Sequence, residues 1–295
     1  MSRSTYTIVG HVVLDRVPEG TRVGGTVSFG GVTAVKLGAK VRVVTAVSED
    51  QRERIASRYG DADFNWVPTP VTTIYENIYL PGGRVQYCHE LASPIAVRDV
   101  PPDWLASDVF HLAPLTGEVP PEMAGAIPDD TLVGVTPQGW LRARAADGLI
   151  SPKLWDRCEE ILERADILVL SEHDPNSPEE LRRYLRPIRH GIVTRGVDGA
   201  EIFEYGRHRH HITAYPADEV DPTGAGDCFA AAVFLEFMRT GDIVEACRFA
   251  SAAAAFQVEK PGLDGIVGDE LARQRMLGPT RPVGHTYQPP WQRGQ

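Results

Sequence analysis

The chain has 295 residues, of which 42% are hydrophobic and 24% are charged, as in a soluble globular protein with one large domain. Its 40 acidic side chains outnumber the 30 basic ones, which leaves a net charge of −10, and no cluster of lysine and arginine is present. This balance argues against nucleic acid and anionic membranes as partners.

Apolar, β-branched runs alternate with helical patterns along most of the chain. We predict strands at 6–14, 41–47, 108–113, 131–136, 166–170 and 190–194. We predict helices at 29–38, 51–59, 152–164, 177–185, 223–240 and 242–257. Short apolar strands that alternate with helices predict a mostly parallel sheet covered by helices on both faces.

Two segments depart from this alternation. Residues 71–80 and 84–91 flank Pro81-Gly82-Gly83 and predict a β-hairpin, which we interpret as a lid or as the clasp of a homodimer. A second pair of strands, 199–205 and 208–213, places His208 and His210 on one face; we interpret them as residues of a solvated edge strand rather than metal ligands.

The ends of the chain complete the predicted domain organisation. Beyond residue 278 the sequence turns to Pro, Gly and polar residues, so we expect a domain of residues 1–278 and an extended tail of residues 279–295. The first residues lack the apolar core of a signal peptide, no apolar run of about 18 residues could span a membrane, and the four cysteines form no CxxC pair. These features predict a cytoplasmic protein.

The run DPTGAGD at residues 221–227 leads directly into an alanine-rich helical pattern. A small-residue turn before a helix leaves backbone N–H groups unpaired and creates an anion site. Phosphoryl transfer to a hydroxyl group needs such a site together with a carboxylate. We therefore assign the phosphoryl group to the amides of Gly224, Ala225 and Gly226, and the acceptor proton to Asp227. Taken alone, the run also fits an ordinary glycine cap followed by an aspartate N-cap.

This motif, extended as DPTGAGDCFAAAVF, and the run GGTVSFGG that starts at Gly24 resemble the motifs of the PfkB family of carbohydrate kinases, the ribokinase-like group. The resemblance covers about residues 6–270. It implies a three-layer α/β/α fold with a central, mostly parallel sheet and a small β lid. It also implies ATP and Mg²⁺ as cofactors and a small polyol or sugar as the acceptor.

On the acceptor side, the resemblance implies a site formed by Asp15, Gly24 and Gly25. A carboxylate suits a polyol because it accepts hydrogen bonds from two hydroxyl groups, and glycines let a substrate approach the backbone. In pattern the chain is closest to myo-inositol kinase-like members, in which a Gln follows the central strand, as Gln138 does here. We place Gln138 and Arg142 at the acceptor or the phosphates, with loop packing as the alternative.

On the donor side, the resemblance implies that Thr194, Arg195, Gly196 and Gly199 line the ATP site at the end of a strand. It also implies that Ser251 is a polar contact of the adenine.

The resemblance also implies where ions bind. The family's Asn-x-x-Glu segment, which organises magnesium-bound water, reads Ser171-Glu172-His173-Asp174 here. We therefore assign Asp174 and Glu172 to Mg²⁺ through water. Asp221 and Thr223 lie where many members bind a monovalent cation, which implies K⁺ as a further cofactor.

Two departures from the family bear on the acceptor. The segment between Asp15 and Gly24 is shorter than in ribokinase, which predicts that part of the lid is reduced or missing there. Phe29 replaces a sugar-binding Asn, which disfavours ribose. Two alternatives stay open: a nucleoside or aminosugar kinase with an acceptor stacked on Phe29, Tyr75 or Tyr79, and a non-catalytic relative that senses a ligand or acts as a scaffold.

Overall fold

The computed structural model describes residues 3–80 and 83–281. Its strands are β1 Thr5–Val9, β2 Val13–Val17, β3 Gly20–Gly24, β4 Lys40–Ala46, β5 Ala62–Val67, β6 Thr73–Leu80, β7 Gly83–Glu90, β8 Val109–Leu112, β9 Leu132–Val135, β10 Arg142–Arg144, β11 Ile150–Pro152, β12 Ile167–Ser171, β13 His190–Thr194, β14 Ala200–Glu204 and β15 Arg207–Ile212. Its α-helices are α1 Thr26–Lys36, α2 Arg52–Ala56, α3 Pro102–Leu105, α4 Glu122–Gly125, α5 Cys158–Leu162, α6 Pro178–Leu185, α7 Ala225–Thr240, α8 Ile243–Gln257 and α9 Asp269–Met276. The tail expected over 279–295 lies outside the described residues from residue 282 onward.

Within the described residues, nine strands form one central sheet in the order β15-β14-β13-β12-β9-β8-β1-β4-β5. The strands from β13 to β5 run parallel, and β14 and β15 return antiparallel at one edge. The central strands are buried on both faces, which accounts for their nearly continuous apolar sequence.

Helices cover both faces of this sheet. Successive residues of a strand point to opposite faces, so Ile167 and Val169 of β12 pack in the core that contains α1, α7 and α8. Leu168 and Leu170 pack instead with α5 and α6. The predicted three-layer α/β/α fold is confirmed. None of the helices among residues 3–80 and 83–281 combines the length and apolarity needed to cross a bilayer.

The single strand predicted over 6–14 is wrong, because the run contributes to two different sheets. β1 ends at Val9, and Gly10 still donates its N–H to Val44 O of β4 at 3.2 Å. The following two N–H groups bind side chains instead: His11 donates to the Glu118 carboxylate at 2.8 Å, and Val12 donates to the Thr45 hydroxyl at 2.9 Å. The chain therefore leaves the central sheet at this point and enters a second sheet as β2.

The second sheet, which we call the lid, has the strand order β3-β2-β6-β7 among the described residues. The hairpin predicted over 71–91 supplies its antiparallel strands β6 and β7. The segment between Asp15 and Gly24, where we expected a reduced lid, forms the hairpin β2–β3 instead. β2 pairs with β6 in parallel, so the lid combines two distant parts of the sequence.

The edge strand β7 is partly covered by the turn between β10 and β11. Cys88 donates its N–H to Gly148 O at 2.8 Å, and Tyr87 forms an isolated bridge with Leu149. The guanidinium of Arg144 donates to Cys88 O at 2.8 Å. The free strand edge on which the homodimer clasp depends is therefore shorter than the sequence suggested.

The helix predicted over 152–164 is shorter than expected. Residues up to Pro152 pair as strand β11 with β10, and α5 begins only at Cys158. Arg157, directly before it, has a φ of 57°, a left-handed conformation that a right-handed helix cannot contain. The backbone at this one residue sets the start of the helix.

Two histidines of β15 contact a buried carboxylate instead of forming an open face. His208 Nε2 and His211 Nδ1 lie 2.7 and 3.0 Å from the buried carboxylate of Glu201. A register shift between Ile202 and Phe203 breaks the strict alternation of strand residues. For this reason His211, rather than the expected His210, joins His208 on that carboxylate.

Candidate active site

The predicted site residues gather at the carboxyl ends of the parallel strands. From β1 the chain proceeds to β4 and β5 on one side and to β8, β9, β12 and β13 on the other. Such a reversal leaves a crevice between the loops that follow β1 and β8, which is where open α/β sheets bind ligands. The lid lies over this edge of the sheet, since β2 follows β1 directly.

The anion site that we predict at the start of α7 corresponds to residues 221–226, which we call the glycine loop. Gly224 precedes the helix with a φ of 80°, and a Cβ at this residue would overlap the ring of Phe29. Only glycine meets both conditions. The loop therefore rests directly on Phe29, whose side chain is 2% exposed.

Two of the three predicted amides are available to a ligand. Ala225 donates its N–H to Pro222 O at a long 3.3 Å. Within the part of the chain that the structure describes, Gly224 and Gly226 donate to no carbonyl group. Gly226 is exposed and has open space around its Cα. Unpaired N–H groups at the start of a helix, with the helix dipole behind them, are chemically suited to an anion.

The carboxyl group of Asp227 lies in the first turn of α7, and its pKa is raised to about 6. Burial is the main cause, and the carboxylates of Asp174 and Asp15 add to it, whereas the Thr26 hydroxyl and Arg142 act in the opposite direction. All four side chains are thus close enough to influence its charge. The structure brings together residues from five separate segments of the sequence.

The residues that we predict on the acceptor side lie at the junction of the lid and α1. Gly24 ends β3 opposite β2, and a Cβ there would overlap Oδ2 of Asp15. Oδ2 of Asp15 therefore lies directly against the backbone of Gly24. Gly25 is the N-cap residue that directly precedes α1, and its carbonyl oxygen accepts the N–H groups of Ser28 and Phe29 at 2.9 and 3.1 Å.

Two lid residues that we did not predict, Asn77 and Gln86, lie on the same face as Asp15. Tyr75 pairs with Asp15 across β2–β6, and Asn77 follows two residues later on the same face of β6. Gln86 lies opposite Asn77 on β7 and donates its amide to Asn77 Oδ1 at 2.7 Å. Polar residues on a lid strand resemble an ordinary solvated face, so only the strand register identifies them.

Arg142 and Gln138 follow β9. The guanidinium of Arg142 lies 5.9 Å from the ring centre of Tyr75 and also acts on Asp227, so it occupies the space between the lid and α7. Gln138 is half-buried at the start of the 3₁₀ turn Gln138–Leu141. The site thus has a cationic side chain on the acceptor side.

The aromatic rings considered for base stacking are not open surfaces. Phe29 and Tyr75 are each 2% exposed. Phe29 lies behind Gly224, and Tyr75 donates its hydroxyl to Leu115 O at 3.3 Å. The side chain of Tyr79 lies outside the described residues.

The predicted donor-side residues occupy the ends of β12 and β13. Thr194 ends β13 and donates its hydroxyl to Leu170 O at 3.4 Å. Gly196 begins the short 3₁₀ turn Gly196–Asp198, which returns at Gly199 into β14. Ser251 is 8% exposed, and its hydroxyl donates to Thr213 O at 3.4 Å.

The two carboxylates assigned to Mg²⁺ have different surroundings. Glu172 forms an ion pair with the buried guanidinium of Arg195 at 3.0 Å, so its charge is already compensated. Asp174 accepts the N–H of Ser171 at 2.7 Å and influences Asp227. Among residues 3–80 and 83–281, no three His, Cys, Asp or Glu side chains form a cage for an ion. Asp174 therefore fits the water-mediated contact of an ion that arrives with phosphate groups, and Glu172 does not.

Known proteins resemble this chain in sequence and in structure. Residues 139–267 match the pfkB family of carbohydrate kinases. The cytidine kinase of Thermococcus kodakarensis is 26% identical over 280 residues, which cover 86% of this chain and 96% of that protein.

Many solved structures share the fold, and two of them illustrate the likeness. One is a pyrophosphate-dependent kinase in the ribokinase family, complexed with a pyrophosphate analog and myo-inositol. Its TM-score is 0.75 and its sequence identity is 21%, and the match covers 91% of this chain and 99% of that chain. The other is the ribokinase of Arabidopsis thaliana complexed with ribose and ATP, with a TM-score of 0.70 at 18% identity, over 94% and 100% of the two chains. The chain therefore contains a region, residues 139–267, that is similar to the pfkB family of carbohydrate kinases, and it shares the fold of the ribokinase-family structures.

Proposed function

We propose that the protein transfers the γ-phosphoryl group of ATP to a hydroxyl group of a small polyol or sugar. The observation that carries this proposal is the position of Asp227. Its carboxyl group, with a pKa of about 6, lies beside the free N–H groups of Gly224 and Gly226. A base with a pKa near the working pH can accept a hydroxyl proton at that place, where developing negative charge is stabilised.

In the proposed reaction the acceptor lies between the lid and α7. Asp227 accepts the hydroxyl proton as the hydroxyl oxygen bonds to the γ-phosphorus, and the bond from this phosphorus to the β-phosphate oxygen breaks to release ADP. The N–H groups of Gly224 and Gly226 hold the phosphoryl oxygens. Mg²⁺ that enters with ATP would neutralise phosphate charge and would be held through water by Asp174.

The lid supports a polyhydroxylated acceptor. Asp15, Asn77 and Gln86 share its inner face, and their carboxylate and amide groups accept or donate hydrogen bonds to hydroxyl groups. No open aromatic ring is found beside them among the described side chains that we considered for stacking. This combination suits a polyol better than a flat base.

A nucleoside acceptor is the second candidate. It is favoured by the cytidine kinase relative, which aligns with this chain over 96% of its own length. A nucleoside also carries sugar hydroxyl groups that Asp15 could hold. The two candidates differ in whether a base is needed for turnover.

The test is the release of ADP from Mg-ATP across a panel of polyols, sugars and nucleosides. A parallel series uses pyrophosphate instead of ATP as the phosphoryl donor, because one of the similar structures is a pyrophosphate-dependent kinase. Asp227→Asn should lower the rate about 10²–10⁴-fold, the usual contribution of a positioned base. The matched control, Asp130→Asn, alters an exposed carboxylate at the opposite end of the sheet and should turn over normally.

Each outcome decides between the candidates. Turnover of polyols that is lost in Asp227→Asn supports the proposal, whereas turnover confined to nucleosides replaces it with the second candidate. ATP binding without turnover of any acceptor would support a non-catalytic relative. Near-normal rates in Asp227→Asn would remove Asp227 from the reaction.

A further inference from the structure

Two backbone carbonyl groups converge on a single buried atom beside the glycine loop. The oxygens of Thr223 and Gly262 both accept hydrogen bonds from Nε2 of Gln257, at 3.2 and 2.6 Å. Gln257 is the last residue of α8 and is fully buried. Its side chain therefore ties the residue before Gly224 to the 3₁₀ turn Gly262–Gly265.

The orientation of this amide follows from its neighbours. The reverse orientation would place Oε1 against two acceptor oxygens, so the NH₂ group must face them. Oε1 itself has no hydrogen-bond partner among the described residues, an arrangement that is unfavourable for a buried acceptor. The two N–H donors are thus the part of Gln257 that the fold uses.

The carboxylate of Asp221 is satisfied by N–H donors in the same region. Oδ1 accepts the N–H of Thr223 and Oδ2 accepts the N–H of Gly262, each at 3.0 Å. Arg22, on strand β3 of the lid, adds an ion pair to Oδ2 at 3.4 Å. Burial acts to raise the pKa of Asp221, but these hydrogen bonds and the charge of Arg22 hold it below its ordinary value.

This region does not fit the monovalent cation that the family resemblance implies. Such an ion is held by several carbonyl or carboxylate oxygens that point at it. Here the two converging carbonyl oxygens point at amide hydrogens, and the carboxylate faces two N–H groups and a guanidinium. Hydrogen-bond donors and a positive charge repel a cation at this position.

We propose that Gln257 and Arg22 take the place of a bound monovalent cation and position the glycine loop by themselves. Gln257 fixes the loop through the carbonyl of Thr223, directly before Gly224, and Arg22 supplies the positive charge. Both are positioning residues, because they act through the loop. The protein should therefore work equally well whichever monovalent cation is present. The rate measurements rest on the proposed function, whereas the stability measurements do not.

The first test compares KCl, NaCl and tetramethylammonium chloride at one ionic strength. The melting temperature of the protein without substrates should be the same in all three salts, because no ion binds the folded state selectively. The kcat with Mg-ATP and the best acceptor should also agree within about twofold. A selective rise in melting temperature with K⁺, or an activation by K⁺ of about tenfold, would overturn the proposal. Failure of every acceptor would refute the proposed kinase activity and leave the stability test intact.

The second test uses Gln257→Ala, which removes the amide and leaves the carbonyls of Thr223 and Gly262 facing each other. We expect kcat to fall about tenfold, the effect of one lost buried contact at a reacting loop, and K⁺ to restore the rate better than tetramethylammonium does. Gln274→Ala, at an exposed position on α9, should match the wild type.

If Gln257→Ala does not fold, Arg22→Met gives the same information. Arg22 is 45% exposed, so this change should leave the fold intact. Its kcat should fall and become sensitive to K⁺ because Asp221 has lost its counter-charge. If Arg22→Met kept the wild-type kcat in all three salts, Arg22 would not be the residue that replaces the charge of the cation.

Discussion

At the scale of single residues, Asp227 combines two requirements that oppose each other. In the proposed reaction Asp227 acts as a base and must lie near the phosphoryl group, yet its burial and the neighbouring carboxylates of Asp174 and Asp15 disfavour its charge and raise its pKa to about 6. Thr26 and Arg142 limit this rise. The charged form is therefore reached near neutral pH, and activity should decline as the pH falls below about 6.

The same carboxyl group should lower the stability of the fold above that pH. Its pKa is higher in the folded than in the unfolded chain. Its contribution to the free energy of unfolding is therefore favourable below about pH 4 and is lost as the pH rises through 6. Asp227→Asn should therefore be more stable than the wild type at pH 8, by roughly 1–3 kcal/mol, and similar to it at pH 4. Urea denaturation at both pH values measures this difference.

The exposed control Asp130→Asn should show no such dependence on pH. An equal stability difference between Asp227→Asn and the wild type at pH 4 and pH 8 would contradict the raised pKa. The test does not require a known substrate.

The lid is the element whose function was least accessible from the sequence. Its hairpin at 71–91 could be predicted from its turn residues and strand-like flanks. Its second hairpin could not, because the break after Val9 depends on Glu118 and Thr45, which lie far away in the chain. Asn77 and Gln86 were missed for a related reason: a polar residue on a strand indicates an exposed face unless its neighbours are known.

We expect Asn77→Ala to weaken acceptor binding. The change removes a hydrogen-bonding group from the inner face of the lid and leaves Gln86 without its partner, so KM for the acceptor should rise about tenfold, as for one lost polar contact. KM for ATP and kcat should change much less. Steady-state kinetics with each substrate varied in turn gives both values.

Ile78→Ala is the matched control, since Ile78 is the next residue on β6 and lies on the outer face with 37% exposure. It should leave both KM values unchanged. An increase of the acceptor KM in Ile78→Ala but not in Asn77→Ala would show that the other face of the lid meets the acceptor.

Other parts of the site could be predicted because their chemistry is local. The glycine loop, Asp227 and Gly24 each carry a signal within a few residues. Asp15 and Asp174 were assigned through the family resemblance, and the structure places both close enough to influence Asp227. The ion pair between Glu172 and Arg195 joins two loops, and no local pattern indicates it.

At the scale of the whole molecule, one buried histidine links neighbouring strands of the central sheet to helix α7. His111 of β8 is fully buried, with Nδ1 at 2.8 Å from Tyr6 Oη and Nε2 at 2.8 Å from Thr136 Oγ1. Its ring meets Phe234 of α7 edge to face at 4.9 Å. Burial lowers its pKa to about 3, so the folded protein keeps it neutral.

This neutral histidine should make the fold sensitive to acid. In the unfolded chain this histidine binds a proton at its ordinary pKa of 6.5. Its contribution to the free energy of unfolding is therefore complete above that pH and is lost progressively as the pH falls toward 3. Between pH 7 and pH 5 the wild type should lose about 2 kcal/mol more than His111→Gln does. The free energy of unfolding at the two pH values tests this expectation.

His210→Gln, at an exposed position on β15, should behave as the wild type does. If His111→Gln lost as much stability as the wild type over this range, the acid sensitivity would belong to other groups.

The parallel pairing of β2 with β6 has a consequence for protein engineering. If residues 71–91 were exchanged for the hairpin of a relative, residues 13–15 of β2 would pair with a foreign strand in place of the native β6. The lid therefore behaves as one recombination unit encoded in two pieces, and a chimera must carry residues 13–24 and 71–91 from the same parent. Libraries with crossover points between these segments should yield mostly insoluble chains, whereas crossovers after residue 91 should preserve the lid.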